Sequence, residues 1–344
     1  MTLDMPESVE SAKFVLEITR GISNEEMANK FGMTRHSLRR RILKARDLLN
    51  NPNEMQGVDA VMDLRGLLNA PKIHPECISG NKTKNIETPS KENIKRVVYF
   101  TDAHNQPKLN QDRFYWLANY INDMRPDAIV DGGDFDDFES LCSHVKNETW
   151  RGKLKEGLLK DLEYSNKARL ILHDNIKIDC PKYVTLGNHE QRVWDYENQN
   201  PEMWGIPSSM YEAILDTYEW KITKYKEYLN LFGVDFTHVP MNALQRAVGG
   251  KMVVRNVAVQ SVRDCCFGHT HVMGYHNEPK FGNAEGVSVF NGGTFTPYNY
   301  IPDYASWSQK QPWQGCHTIT IDKTKGKIIS ISSVSILDLE HKYG

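Results

Sequence analysis

A carboxylate and an imidazole, two residues apart, close a short apolar run at Val97-Val98-Tyr99-Phe100-Thr101-Asp102-Ala103-His104. In extended chain, side chains at i and i+2 leave one face of the backbone, so Asp102 and His104 can converge on one point past a strand's end. Oxygen and imidazole donors brought together in this way hold metal ions. The pattern recurs. Ala128-Ile129-Val130 runs into Gly132-Gly133-Asp134-Phe135-Asp136-Asp137, and Tyr183-Val184-Thr185-Leu186 into Gly187-Asn188-His189-Glu190. Val234-Asp235-Phe236-Thr237 reaches His238, and Cys265-Cys266-Phe267 reaches Gly268-His269-Thr270-His271. One such residue alone is ordinarily a loop residue beside a buried strand. Their recurrence at five strand ends points to one shared site, because ligands of open α/β sheets bind outside the carboxyl ends of the strands.

These strand ends require a large core, and a chain of 344 residues can bury one and carry a small appended domain besides. Hydrophobic residues make up 40% and charged residues 25%, ordinary globular values that set aside fibrous and disordered classes. A formal net charge of −2 implies no whole-chain attraction to nucleic acid, and leaves room for a local basic face. Residues 1–20 hold Asp4, Glu7, Glu10 and Glu17 without an apolar signal core. No later run reaches the roughly 18 to 20 apolar residues of a membrane span, so the chain reads as soluble and cytoplasmic, with no membrane partner. Cys77, Cys142, Cys180, Cys265, Cys266 and Cys316 form no CxxC pair and suit reduced thiols.

A different signal stands near the start. Ser23 caps a helix that closes on Gly32, and a second helix, residues 34–49, begins at once. Met27, Phe31, Leu38 and Ile42 supply an apolar seam, and Ala28 allows close packing, a pattern that resembles a helix-turn-helix. The second helix carries Arg35, Arg39, Arg40, Arg41, Lys44 and Arg46. Such a face neutralises phosphates, with Arg35, His36, Arg39 and Arg40 as the candidate DNA-binding residues. A solvated basic helix or a protein-docking element is the plainer alternative. The reading is an all-α helix-turn-helix domain at 1–49, a linker at 50–93 marked by Pro52, Pro71, Pro75 and Pro89 with one short helix near 58–68, and a catalytic domain at 94–344.

In the catalytic domain the order D-x-H, G-D-x-x-D, G-N-H-E, H, G-H-x-H resembles the calcineurin-like metallophosphoesterases, from Val97 to at least Gly293. The resemblance implies an α/β fold of two mixed β-sheets sandwiched with flanking helices. It also implies two divalent metal ions: Asp102, His104, Asp134 and His271 around one, Asp134, Asn188, His238 and His269 around the other, with Asp134 bridging. Manganese is the first candidate for both ions, and iron, zinc and nickel are the others. Ions about 3.5–4 Å apart share a water, lower its pKa and clamp phosphoryl oxygens, so a metal-bridged hydroxide is the expected nucleophile. The family's pattern makes His189 the general acid beside the leaving-group oxygen and Asp137 the residue that orients it, with Asp136 as rival. Protein serine/threonine phosphatases of the superfamily follow G-D-x-x-D with Arg-Gly. Phe138-Glu139 stand there in this chain, which counts against that substrate class and leaves Arg192, with Asn188, as the candidate substrate-binding residue.

Two inserts, 139–178 and 195–232, are rich in helix formers and hold Trp150, Trp194, Trp204, Tyr211, Tyr218 and Trp220, material for a cap or for core packing. Residues 287–293, 317–321 and 327–336 read as strands closing a second sheet, and 298–313 as an aromatic, substrate-facing loop. His144, His173, His276 and His317 match no motif position. The layout is similar to metallophosphoesterases of phage and prophage genomes, which would place it in the cytoplasm of a bacterial host. The expected activity is hydrolysis of nucleic-acid or nucleotide phosphodiesters. A phosphomonoesterase acting on a small molecule or phosphoprotein is the second reading, and a non-catalytic DNA-binding regulator the third.

Overall fold

A computed structural model of the chain describes residues 91–142, 157–300 and 312–344. The helix-turn-helix expectation, with Arg35, His36, Arg39 and Arg40, lies outside the described residues, as do the linker helix, Cys77, His144 and Trp150. Strand β1, Ile94–Phe100, opens the described fold and leads to helix α1, Asp112–Met124, β2, Ala128–Asp131, and α2, Leu158–Asn175. Next come β3, Lys182–Thr185, α3, Asn188–Gln199, α4, Ile206–Thr217, and β4, Trp220–Thr223. The chain continues through β5, Leu229–Leu231, β6, Val234–Phe236, α5, Val253–Gln260, β7, Cys265–Phe267, β8, Met273–Lys280, and β9, Asn283–Gly292. Strands β10, Gly315–Asp322, and β11, Lys327–Ser335, precede α6, Ile336–Tyr343.

The strands form two mixed sheets, in the orders β11-β10-β1-β2-β3-β4 and β5-β6-β7-β9-β8. Strands β1 to β4 are mutually parallel, as are β6, β7 and β9, while β10, β11, β5 and β8 pair antiparallel to their neighbours. One expectation is corrected here. Only β9 of the three late strands joins the second sheet; β10 pairs with β1 from Ile94↔Asp322 to Tyr99↔His317 and extends the first. Sequence pattern fixes strand character, whereas the choice of sheet depends on which edge has unpaired backbone groups.

Alternation along β1 explains the layering. Val97 and Tyr99 face inward with Ala128, Val130, Ile319 and Ile321, against Val234, Phe236, Cys266 and Phe290 of the second sheet. Val98 and Phe100 face outward, against Phe114 and Ile121 of α1, Leu162 and Leu172 of α2, and Leu339 of α6. Helix α5 covers the outer face of the second sheet with Val253, Val257 and Ala258 over Cys265, Phe267 and Val289. Each such buried aliphatic or aromatic side chain stabilises by roughly 1.5–3 kcal/mol relative to exposure. The described parts of the two inserts belong to this packing and form no separate cap: α2 and α4 lie in the outer helical layer, and Tyr211, Tyr218 and Trp220 are core residues. Trp204, at the turn before α4, is 68% exposed.

Candidate metal centre

Because β1, β2, β3, β6 and β7 run parallel within their sheets, their carboxyl ends deliver five loops to one edge of the sandwich. The expected geometry for Asp102 and His104 was extended chain; instead both have left-handed backbone, φ 52° and 45°. Asp134, His269 and His271 share that conformation, at 51°, 70° and 56°. Non-glycine residues held there cost roughly 1–3 kcal/mol each and persist where surrounding bonds over-determine them. The bonds are present. Past the strand ends the two loops stay zipped, with the amides of Asp102, His104 and Asn105 donating to the carbonyls of Gly133, Asp134 and Phe135 at 2.9, 2.9 and 2.7 Å. Asp102 and His104 converge with these left-handed backbones, their Oδ1 and Nε2 atoms 3.9 Å apart.

Three side-chain clusters result. Asp102 Oδ1 lies 3.2 Å from His271 Nε2 and 3.9 Å from His104 Nε2, and the two imidazole nitrogens are 3.0 Å apart. Asp134 Oδ2 lies 3.2 Å from His238 Nε2, and Asn188 Oδ1 is 3.3 Å from that nitrogen and 2.8 Å from His269 Nδ1. Within the sets Asp102, His104, His271 and Asp134, His238, His269, donor atoms stand within 4.8 Å of one another, close enough for a metal ion. A third set is His189 with Asp137, Nδ1 to Oδ1 at 2.5 Å, beside His104. Asp136 turns the other way, to Ser165 Oγ, Asn105 Nδ2 and Tyr211 Oη. Arg192 donates to the Asp137 carbonyl at 2.7 Å, and its second terminal nitrogen stands 3.2 Å from His189 Nε2.

Close backbone approach explains two glycines. A Cβ on Gly187 would meet Asp134 Oδ1 at 2.1 Å, and one on Gly268 would meet Thr101 Oγ1 at 2.1 Å and Asp102 Oδ2 at 2.4 Å. Any side chain there would push aside a cluster carboxylate.

Charge balance in the cluster is tight. Burial alone would lower the His238 imidazole, but Asp134 and then Asp102 outweigh it and push it up to about 10. His189 is likewise raised to about 9, against burial, by Asp134 and Asp137. Burial opposes ionisation of Asp134 and Asp137 too, yet the histidines around them hold both carboxyls below the usual range. The clusters thus demand positive charge, from protons or from metal ions. Donor chemistry fits metal ions: His238 Nδ1 lies 2.8 Å from the Gly132 carbonyl, which keeps the proton on Nδ1 and leaves the Nε2 lone pair facing Asp134. Mixed oxygen and imidazole donors suit first-row divalent ions.

Two supporting features lay beyond the sequence reading. Glu190, fully buried, accepts the amides of Asp134, Asp136 and Gly187 at 3.0, 3.0 and 2.7 Å and so joins the β2 and β3 loops. Its position three residues after a helix-capping Gly187 was the available signal. Behind the β2 loop, Asp131 accepts the Gly133 amide at 3.0 Å and Arg169 of α2 at 2.7 Å, with the guanidinium between the Phe135 and Trp220 rings. No local motif announces that pair. Elsewhere, His317 bridges Ser333 Oγ and the Gly292 carbonyl inside the core, His276 pairs with Glu278, and His173 is exposed on α2. Cys180, Cys265, Cys266 and Cys316 are buried thiols outside any disulfide. Among the described residues no helix is long and apolar enough to cross a membrane.

Two parallel half-sheets delivering Asp, His and Asn to one edge define a metallophosphoesterase centre. The chain belongs to the calcineurin-like phosphoesterase family, whose pattern it matches over residues 95–273, and is therefore a metal-dependent phosphoester hydrolase. No curated protein matches this sequence. Among solved structures it is similar to YfcE, a phosphoesterase from E. coli, at 14% identity and TM-score 0.30, over 70% of this chain and 100% of that one. It is also similar to GAP50, the anchor in the inner membrane complex of Plasmodium, at 10% identity and TM-score 0.30, over 73% and 95%. Both are distant likenesses.

Proposed function

We propose that this chain hydrolyses nucleic-acid or nucleotide phosphodiesters at a two-ion centre. Asp102, His104, Asp134 and His271 would hold one ion and Asp134, Asn188, His238 and His269 the other, with manganese the ion we favour over iron, zinc or nickel. The observation that carries this reading is the pair of donor clusters with His189 and Asp137 beside them. Divalent ions bound there supply Lewis-acid charge to the phosphoryl oxygens and acidify a water. The remaining steps belong to the chain's own residues.

Asp137 holds His189 by Nδ1, at 2.5 Å, so that Nε2 carries the proton toward the leaving-group oxygen. An alkoxide leaving from a diester needs that proton. Arg192, with a terminal nitrogen 3.2 Å from His189 Nε2, aims a second donor at the same region and binds an anionic phosphoryl oxygen with Asn188. The nucleic-acid preference is supported by the run of basic residues in the sequence, Arg35, His36, Arg39 and Arg40, which we read as a DNA-binding element. A phosphomonoesterase is the second reading, favoured by the same donor set, which serves either ester.

The test is Asp134→Asn. We expect loss of both bound manganese, by elemental analysis, and hydrolysis of bis(4-nitrophenyl) phosphate; near-normal manganese-dependent turnover by that variant sinks the assignment. Wild-type turnover of 4-nitrophenyl phosphate without the diester selects the monoesterase.

A further inference from the structure

Two loops beside the centre carry a charge the mechanism does not use. Residues 224–228 leave the carboxyl end of β4, and residues 239–252 follow His238 at the carboxyl end of β6. They touch each other where the Met241 amide donates to Tyr228 Oη at 3.1 Å, and Thr237, just before the second loop, donates from Oγ1 to the Glu227 carbonyl at 2.9 Å. They also abut the site. The Leu186 amide, next to Gly187-Asn188, donates to the Thr223 carbonyl at 2.9 Å.

The charge on these loops has one sign. Lys224, Lys226, Arg246 and Lys251 are all exposed, and against them stands Glu227 alone, in a chain whose formal net charge is −2. Among the described residues none of the four cations has a carboxylate partner, as is also true of Lys167, Lys221 and Lys323, and what sets the four apart is their gathering on two touching loops. The loops are built as well. Met241 and Ala247 pair as a bridge, Asn242 Oδ1 accepts the Leu244 and Arg246 amides at 2.9 and 3.0 Å, and the Lys226 ammonium lies 5.0 Å from the Tyr225 ring centre. Cations gathered on loops that leave the same strand ends as the donor residues concentrate anions near them.

We propose that the 224–228 and 239–252 loops form a basic rim that holds the phosphates flanking the scissile linkage of a nucleic-acid strand. The inference rests on the phosphodiesterase reading and gives it a substrate-binding surface within the catalytic unit itself. A nucleic acid is favoured over a small phosphate ester because a small ester presents no second anion for cations outside the donor clusters. Backbone phosphates repeat, and aromatic side chains between cations suit a single strand.

The test compares the full-length wild type with K224E/K226E/R246E/K251E, all surface positions, on a single-stranded hexanucleotide and on bis(4-nitrophenyl) phosphate. We expect the ratio of kcat/KM, oligonucleotide over aryl diester, to fall about tenfold or more. The slope of log affinity against log salt should flatten by about 3, the single-strand value for four lost phosphate contacts. E227K should move both the other way. Anisotropy of the labelled hexanucleotide in EDTA gives the same comparison by binding alone, so a missing aryl diesterase activity overturns the catalytic reading and leaves the rim judged by binding. An unchanged ratio with an unchanged salt slope overturns the rim, as does a wild type that turns over the aryl diester and neither cleaves nor binds the hexanucleotide.

Discussion

The Nε2 atoms of His104 and His271 stand 3.0 Å apart, although one residue follows β1 of the first sheet and the other follows β7 of the second. Two imidazole nitrogens at that separation need a proton or a metal ion between them, and Asp102 completes the demand from 3.2 Å. An ion held there would tie the two sheets at this edge. Manganese at 100 times its Kd is expected to add about 2.7 kcal/mol to the unfolding free energy, or roughly 5–10 °C in Tm. EDTA should remove the gain. A double variant His104→Ala, His271→Ala with the full manganese shift in calorimetry contradicts the cluster as an ion site.

Loss of the His189 proton should depend on the leaving group. His189→Gln is expected to slow cleavage of a dinucleotide, whose alkoxide must be protonated, by about 10²–10⁴-fold. Hydrolysis of bis(4-nitrophenyl) phosphate, whose phenolate leaves unaided, should fall far less. Equal losses on the two substrates would make His189 a structural residue.

Behind the centre, Arg169 and Asp131 form an ion pair with both side chains fully buried. Burial raises the Asp131 carboxyl, and Arg169, then the Gly133 amide and the charge of His238, counter it. Removing one partner strands a buried charge, so Arg169→Met should cost about 3–5 kcal/mol in urea unfolding. The double variant Asp131→Asn, Arg169→Met should recover part of that. A single variant within about 1 kcal/mol of wild type contradicts the coupling.

Core histidine His317 makes stability depend on acid. Burial lowers its imidazole to about 4, and its ring is held between Ser333 Oγ and the Gly292 carbonyl, both at 2.8 Å. The unfolded chain, with an ordinary histidine value near 6.5, binds that proton first. The contribution is therefore whole above pH 6.5 and lost as pH falls toward 4, amounting to roughly 3 kcal/mol. His317→Asn should flatten that stretch of the stability profile; an identical pH slope in the variant rules the residue out.

Deleting residues 1–49 separates the two proposed nucleic-acid contacts. Aryl diester hydrolysis should persist while affinity for duplex DNA falls and its salt slope flattens. Unchanged DNA affinity assigns the segment another partner.

Strand identity, and which side chains gather at the sheet edge, were legible from the chain, because buried strands read as apolar runs and those of β1, β2, β3, β6 and β7 run into Asp, Asn or His. Asn188 and His189 needed only the G-N-H-E run. Asp136 and Asp137 did not separate on chemistry, since adjacent carboxylates look alike until the backbone turns one toward His189 and the other toward Tyr211. Placement of β10 and β11 was illegible for a similar reason: β10 is buried along nearly all its length and β11 is half-exposed, and such strands fit either sheet until edge pairing decides.

The order of residues by itself determined which side chains end the strands, and hence the family and its hydrolytic chemistry. Tertiary structure alone decided which donors meet, through contacts between residues far apart in the chain. The left-handed loops zipped past β1 and β2, the Arg169–Asp131 pair and the abutting basic loops all depend on backbone and charge brought together by packing. Sequence periodicity reports on neighbours within one element, and it carries no information about distances between elements.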